Sequence, residues 1–107
     1  MTCYAIGHLR RVRMGREIAD YLRGIDATLA PFGGRFMIHG GRPTHLEGRF
    51  EGDLVVIAFD GRAEAEGWYR SAEYAAILPL RTANAEGEVF LIDGVDDDHR
   101  ATDILDT

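Results

Sequence analysis

The amino-acid sequence predicts an α+β domain built in the order β-α-β-β-α-β. Three observations carry that prediction: a two-residue alternation over Cys3 to Leu9, an apolar stripe of helical spacing over Arg16 to Ala30, and an unbroken apolar run from Leu54 to Phe59. A chain of 107 residues suits one domain, which at this size buries roughly two thirds of the surface its unfolded form exposes.

The first element is a strand, because Tyr4, Ile6 and His8 alternate with Cys3, Ala5, Gly7 and Leu9, and a period of two is the pleat of a β-strand. The helix follows from Ile18, Tyr21, Leu22, Ile25 and Leu29, which fall on one face at 3.6 residues per turn. Pro31 and the Gly33-Gly34 pair stop it, with Gly33 suited to the left-handed cap conformation that a Cβ disfavours. A second strand is expected over Arg35 to His39, in which Arg35 shares parity with Met37 and His39. Gly40-Gly41-Arg42-Pro43 is a turn by its chemistry, and Thr44 to Glu47 is expected as a short extended arm. Leu54 to Phe59 reads as a strand covered on both faces. Asp60-Gly61 is expected to cap the next helical region, Ala63 to Arg70 and Glu73 to Leu80, divided near Ser71 and limited by Pro79. Glu88 to Ile92 closes the series as the last strand. This order is the ferredoxin-like arrangement, with both helical regions on one face of a four-stranded sheet. Residues 1 to 94 form the domain and residues 95 to 107 an acidic, solvated tail.

Two helical layers cover one face of such a sheet, yet Val55, Ile57 and Phe59 alternate with Leu54, Val56 and Ala58, apolar on both sides. A second copy packed sheet to sheet is the economical cover, which makes the expected partner the chain itself, as a homodimer.

Composition excludes more than it assigns. Lys is absent, so all 12 cationic residues are Arg, a pattern attributed to the codon bias of a GC-rich, bacterial genome. Schiff-base and pyridoxal chemistry require a lysine, and so does the P-loop. The single serine, Ser71, lacks the Gly-x-Ser-x-Gly setting of a nucleophile elbow. Cys3 stands alone, which permits neither an intrachain disulfide nor a Cys-x-x-Cys pair. Cys3, His8, His39 and His45 show no ligand spacing, so neither a metal nor a cofactor is expected. No apolar run reaches the roughly 18 residues of a membrane span, and no signal peptide is legible, so the expected location is the cytoplasm, without membrane.

The formal charge of −6 is unevenly spread: residues 1–50 carry +4, residues 51–92 carry −5 and residues 93–107 carry −5. Without a basic stripe interleaved with aromatics, no nucleic-acid partner is expected. The opposed halves of the body suit a self-association surface.

Several segments together resemble the domain of unknown function (DUF) 1330 family. They are Gly33-Gly34-Arg35-Phe36, Gly40-Gly41, Leu46-Glu47-Gly48, Val55-Val56-Ile57, Trp68-Tyr69-x-Ser71-x-Glu73-Tyr74, Leu80-Arg81 and Ala85-Glu86-Gly87. The resemblance covers about residues 3 to 94, and it implies a dimeric α+β barrel of ferredoxin-like subunits without implying an activity. Arg11-Val12-Arg13-Met14 departs from the Asp-Pro-type start of the first helix, and His39 stands where an Arg is common.

The candidate ligand-binding residues are His8, Arg35, His39, Trp68, Tyr74 and Arg81. Strands one and two run parallel with strand three between them, so His8 and His39 reach the same end of the sheet. They either share one ligand site, where imidazole suits proton transfer near neutrality, or are unrelated structural histidines. Of Trp68, Tyr69 and Tyr74, no more than two face the sheet, as core or as pocket wall. Arg35 and Arg81 are either carboxylate anchors or partners in structural ion pairs, for instance with Glu47 or Glu73, and Glu47 is alternatively a general base. Cys3 is expected as a small buried strand residue. Three functional classes follow: a small-molecule-binding protein, a cofactor-independent enzyme of monooxygenase, isomerase or cyclase type, and a dimeric scaffold without a ligand.

Overall fold

The computed structural model describes residues 1–106. Strand β1 (Cys3–Arg10) leads into helix α1 (Arg16–Leu29), and a 3-10 turn (Ala30–Phe32) directs the chain into β2 (Arg35–His39). A long loop returns it through β3 (Asp53–Phe59), and helices α2 (Arg62–Arg70) and α3 (Ala72–Thr82) precede β4 (Glu86–Asp93). The strands form one antiparallel sheet in the order β2-β3-β1-β4, so the fold is the ferredoxin-like α+β arrangement.

β1 sits between β3 and β4, and its alternation sorts the whole sheet. Cys3, Ala5, Gly7 and Leu9 lie opposite Phe59, Ile57, Val55 and Asp53 of β3, and opposite Asp93, Leu91, Val89 and Gly87 of β4. This set faces the helices. Cys3, Ala5, Ile57 and Phe59 join Tyr21, Ile25, Leu29, Ala65, Trp68 and Tyr74 in one buried cluster, where a fully buried aliphatic side chain contributes about 1.5–3 kcal/mol. The other set, including Tyr4, Ile6 and His8 with Val56, Phe90 and Ile92, faces away from them. Phe90 and Ile92 are about half exposed, as is Ile38 of β2, so the second face is apolar and uncovered within one chain.

α1 buries the expected stripe, Ile18, Tyr21, Ile25 and Leu29, and Glu17 in its first turn complements the helix dipole. Gly33 takes the expected left-handed conformation with φ 69°, and the Gly33 and Gly34 amides donate to the Ala30 and Leu29 carbonyls. Gly87 has φ 149°, and a Cβ there would collide with the His8 carbonyl oxygen, so β4 reaches the end of β1 only through a glycine.

Three local expectations are corrected. Pro79 lies inside α3 rather than ending it: the missing N–H costs the helix one bond, to the Ala75 carbonyl, while the last turn keeps its partners, with the Ala83 amide donating to the Pro79 carbonyl at 3.0 Å and the Asn84 side chain to the Leu80 carbonyl at 2.8 Å. Asp60 makes no cap. Gly61 is the N-cap of α2 without a side-chain bond, whereas the Ser71 hydroxyl caps α3 by accepting from the Tyr74 amide. Thr44 to Glu47 forms no strand, and the whole loop from Gly40 to Gly52 lacks regular structure. Oppositely charged segments also meet within the chain: at the β1–β4 end Arg10 pairs with Glu88 and Arg11 with Glu86, and beside β2 and β3 Arg35 pairs with Asp60.

Residues 95–106 are exposed throughout. Their backbone bonds run from His99 to Asp96 and from Asp103 to Arg100, inside the segment itself; the last residue of the acidic tail, Thr107, lies outside the described residues. Truncation after Gly94 is therefore expected to leave the melting temperature within about 2–4 °C of the full chain, the scale of a surface change in a small domain. A larger loss in a thermal melt would mean that Val95, Ile104 and Leu105 dock on the domain or its partner.

Candidate functional site

Small residues on β1 leave room beneath the helices. Ala5 and Gly7 face α1 and α3, and between these layers lies a cavity of about 270 Å³. Ile18 and Ile25 of α1, Val55 and Ile57 of β3 and Trp68 of α2 make its walls apolar. Met14, His39, Gly40 and Asp53 also line it and are exposed, which marks the rim at the end of the sheet where β1 and β2 finish.

Three polar side chains enter this apolar space together: Tyr21, Tyr74 and Arg81. Tyr74 and Arg81 are seven residues apart on α3 and so share its sheet-facing side. Tyr21 reaches them from the α1 stripe, where a phenol with a buried ring needs a partner for its hydroxyl. The Tyr21 and Tyr74 hydroxyls are 2.8 Å apart, and the two rings meet edge to face at 6.2 Å. Burial, then the neighbouring Tyr74, pushes the Tyr21 phenol far above its ordinary value against the opposing pull of Arg81. Arg81 is 9% exposed. Burial acts to lower its pKa, but the oxygens of Tyr74 and Tyr21 more than offset it and hold the guanidinium charged. Trp68 meets the Tyr74 ring at 4.2 Å, tilted by 41°, and donates its indole N–H to the Thr28 hydroxyl at 3.0 Å, leaving the ring as wall.

Of the residues expected from sequence to bind a ligand, His39, Trp68, Tyr74 and Arg81 come together on this cavity. His8 and Arg35 do not. A bulge between Phe36 and Ile38 inserts one residue into β2, so Arg35 pairs with Ala58 on the outer face while His39 pairs with Val55 on the helix face. The parity expected for Arg35 and His39 is thereby broken, and His39 stacks on Phe36 at 4.4 Å. His8 keeps the outer parity of β1. Its Nε2 lies 2.5 Å from the Glu51 carbonyl, its Nδ1 lies 3.3 Å from the Arg10 guanidinium, and its ring packs on Phe50. The two histidines reach the same end of the sheet on opposite faces, and one ligand in the cavity does not touch both. Arg35 pairs with Asp60 at 3.7 Å rather than with Glu47, which is exposed in the long loop. Tyr69 is 38% exposed and off the cavity, as the limit of two inward aromatics requires. Sequence reasoning missed Tyr21 and Asp53. The first carried a signal, a tyrosine on an apolar stripe, whereas Asp53 carried none.

Cys3 is fully buried, and that burial raises its thiol pKa, which suits a packing residue rather than a nucleophile. Among the described residues no cluster of three or more His, Cys, Asp or Glu side chains forms, and no helix is long and apolar enough to cross a membrane.

The antiparallel sheet with helices on one face and a cavity between the layers defines a ferredoxin-like α+β domain. The chain belongs to the family described as Domain of unknown function (DUF1330), which matches residues 2–95. It is similar in fold to the RPA0582 protein of unknown function from Rhodopseudomonas palustris, at 18% identity and a TM-score of 0.69, over 89% of this chain and 83% of that one. A dimeric ferredoxin-like protein of unknown function from Jannaschia sp. CCS1 aligns at 11% identity and a TM-score of 0.59, over 88% of this chain and 100% of that one. SnoaB, a cofactor-independent oxygenase from Streptomyces nogalater, aligns at 13% identity and a TM-score of 0.58, over 92% of this chain and 98% of that one. No curated protein matches the chain in sequence.

The Tyr21 environment fixes the sign of an alkaline effect. The native state holds the phenolic proton more tightly than the unfolded chain, so this contribution to stability is complete below the ordinary phenol value of about 10 and is lost as pH rises above it. Cys3 adds a second contribution of the same sign. Tyr21→Phe is expected to cost about 0.5–1.5 kcal/mol at neutral pH through the lost hydroxyl bond. It is also expected to flatten the alkaline decline by up to about 1.4 kcal/mol per pH unit. Denaturant unfolding across an alkaline pH series checks both, and parallel declines for the two proteins would contradict the assignment.

Proposed function

We propose that the protein is a homodimer that binds a small, largely apolar organic molecule in the cavity between α1, α3 and the sheet. The observation that carries this reading is the placement of Arg81, Tyr21 and Tyr74 on an otherwise apolar wall, the composition of a ligand pocket with a few orienting polar groups. The cavity is nearly twice the roughly 150 Å³ that suffices for benzene. His39 stands at the rim, where it contacts the exposed end of the ligand. The ligand needs no cofactor or metal to be held, and the single buried cysteine suits a reducing compartment such as the cytoplasm.

Dimerisation is supported by the uncovered apolar face, in which Ile38, Phe90 and Ile92 are half exposed around Ile6 and Val56, and by the dimeric relative in fold. An exposed patch of this kind marks an interaction surface. An obligate interface buries more than roughly 2,000 Å². Light scattering is expected to give twice the 11.9 kDa of the chain at micromolar concentration. A monomer under those conditions would sink this half of the proposal.

A second reading makes the cavity an active site. It is favoured by the likeness in fold to a cofactor-independent oxygenase, and it casts His39 as the proton-transfer group while Arg81 and the phenols steady an oxyanion. The dimeric scaffold without a ligand is the reading that a binding result would remove.

A thermal-shift screen of small aromatic carboxylates and phenols separates the three. A ligand at 100 times its dissociation constant stabilises the native state by about 2.7 kcal/mol, so a hit is expected to raise the melting temperature by more than about 5 °C. The shift should shrink in His39→Ala and persist in His8→Ala, because only His39 lines the cavity. No hit across a broad screen would favour the scaffold, and a hit indifferent to His39 would remove His39 from the site. Turnover of a hit, with a pH profile that follows a histidine and is lost in His39→Ala, would favour the enzyme.

A further inference from the structure

We infer that the group recognised in the cavity is an ionised oxygen, a phenolate, enolate or carboxylate, carried on a flat apolar body and seated against Arg81, Tyr21 and Tyr74. This rests on the binding reading above and narrows it to a class of ligand.

The argument begins with an unbalanced charge. Arg81 is 9% exposed, and a guanidinium withdrawn this far from water is costly without an opposite charge. Among the described residues the arginine–carboxylate pairs are made by Arg10, Arg11, Arg23, Arg35, Arg49 and Arg62, all on the surface. Among the described residues Arg81 pairs with no carboxylate, and its polar neighbours are the phenols of Tyr74 and Tyr21. Phenols soften the cost without neutralising it. A ligand that brings its own negative charge completes the site, whereas a neutral one leaves the charge as it was.

Hydrogen-bond capacity gives the same answer independently. A guanidinium offers five N–H donors and no acceptor, and each phenol offers one O–H. The Tyr21–Tyr74 bond consumes one hydroxyl proton and leaves the other free. This patch of wall therefore presents mostly donors, and its complement is an oxygen that only accepts, which describes an anion. The acidic residue on the cavity, Asp53, is exposed, where solvent screens its repulsion of an incoming anion. The body follows from the rest of the lining: the small Ala5 and Gly7 leave room on the sheet side, and the rings of Trp68 and Tyr74 supply aromatic wall that suits a flat group.

Para-nitrophenol, para-nitrobenzoate and para-nitrotoluene test this on the full chain, since they share one flat body and differ in the acidic group. Calorimetry is expected to find the two acids bound about 10- to 100-fold more tightly than the toluene, the range of a charge-assisted hydrogen bond. Bound para-nitrophenol should also turn yellow at a pH where the free molecule is colourless, its apparent pKa lowered by about one unit or more beside the guanidinium. Arg81→Met should abolish both the preference and the colour while leaving para-nitrotoluene bound as before, and Tyr21→Phe should weaken the acids several-fold. The rank of nitrophenol against nitrobenzoate distinguishes the phenolate and enolate source from the carboxylate. If all three compounds bind the wild-type protein alike, the anionic class is wrong and the cavity reading stands. If the acids are preferred but Arg81→Met keeps the preference, the anchor is misassigned. If none binds at millimolar concentration, the cavity reading falls together with this inference. Should Arg81→Met not fold, the wild-type ratio and colour shift still decide.

Discussion

The alternation of β1 is the constraint on which the rest of the molecule depends. Every second residue from Cys3 to Leu9 faces the helices, and the first three of these are Cys, Ala and Gly, while the intervening positions hold Tyr4, Ile6 and His8. Since β1 is hydrogen-bonded on both sides, it sets the facing of β3 and β4 as well. A slip of one residue would drive the large side chains under α1 and α3 and expose the small ones. The cavity exists because the centre of the sheet is built small on that side. The apolar outer face exists because it is built large on the other.

Charges at the end of the sheet then close the structure without entering either apolar surface. Arg10 grips Glu88 through two hydrogen bonds at 2.8 and 2.5 Å, and the same guanidinium approaches Nδ1 of His8. His8 in turn meets the Glu51 carbonyl and Phe50, tying the long loop after β2 to the outer face. These groups are exposed enough that each ion pair contributes little on its own. Their consequence is geometric: they form a polar border beside the half-exposed Phe90, as rims do around apolar interface centres. His8 is engaged in that border, and this explains why it is unavailable to the cavity on the other side.

The parts of this architecture that were legible in the sequence are those set by local pattern. The stripe Ile18–Tyr21–Ile25–Leu29, the left-handed Gly33 and the two-faced β3 each follow from spacing or backbone sterics, and all stand in the structure. Four of the six candidate residues line the cavity for a related reason, since Trp68, Tyr74 and Arg81 lie on inward helical faces and His39 ends a strand. What was not legible depended on non-local partners. The bulge at Met37 leaves no mark in Arg35-Phe36-Met37-Ile38-His39, yet it moves His39 to the helix face and leaves Arg35 outside. Pro79 has the chemistry of a helix stop, yet α3 runs through it to Thr82, and its last turn is closed by the Ala83 amide on the Pro79 carbonyl and the Asn84 side chain on the Leu80 carbonyl. The burial of Arg81 arises only when α1 brings Tyr21 beside α3.

The bulge also separates two roles that a regular strand would have combined. With an unbroken alternation, Arg35, Met37 and His39 would share the outer face, and the cavity rim would lose its imidazole. One inserted residue instead gives β2 an outward Arg35, bound to Asp60, and an inward His39, stacked on Phe36. Bulges concentrate where a strand end must re-aim a side chain, and this one lies at the end of β2 beside the cavity mouth. The helix face of the sheet therefore carries the cavity while the outer face carries the apolar patch, each with its own polar groups. Contact between the two runs through β1, whose side chains serve both faces in turn and whose Ile6, on the outer set, also lines the cavity.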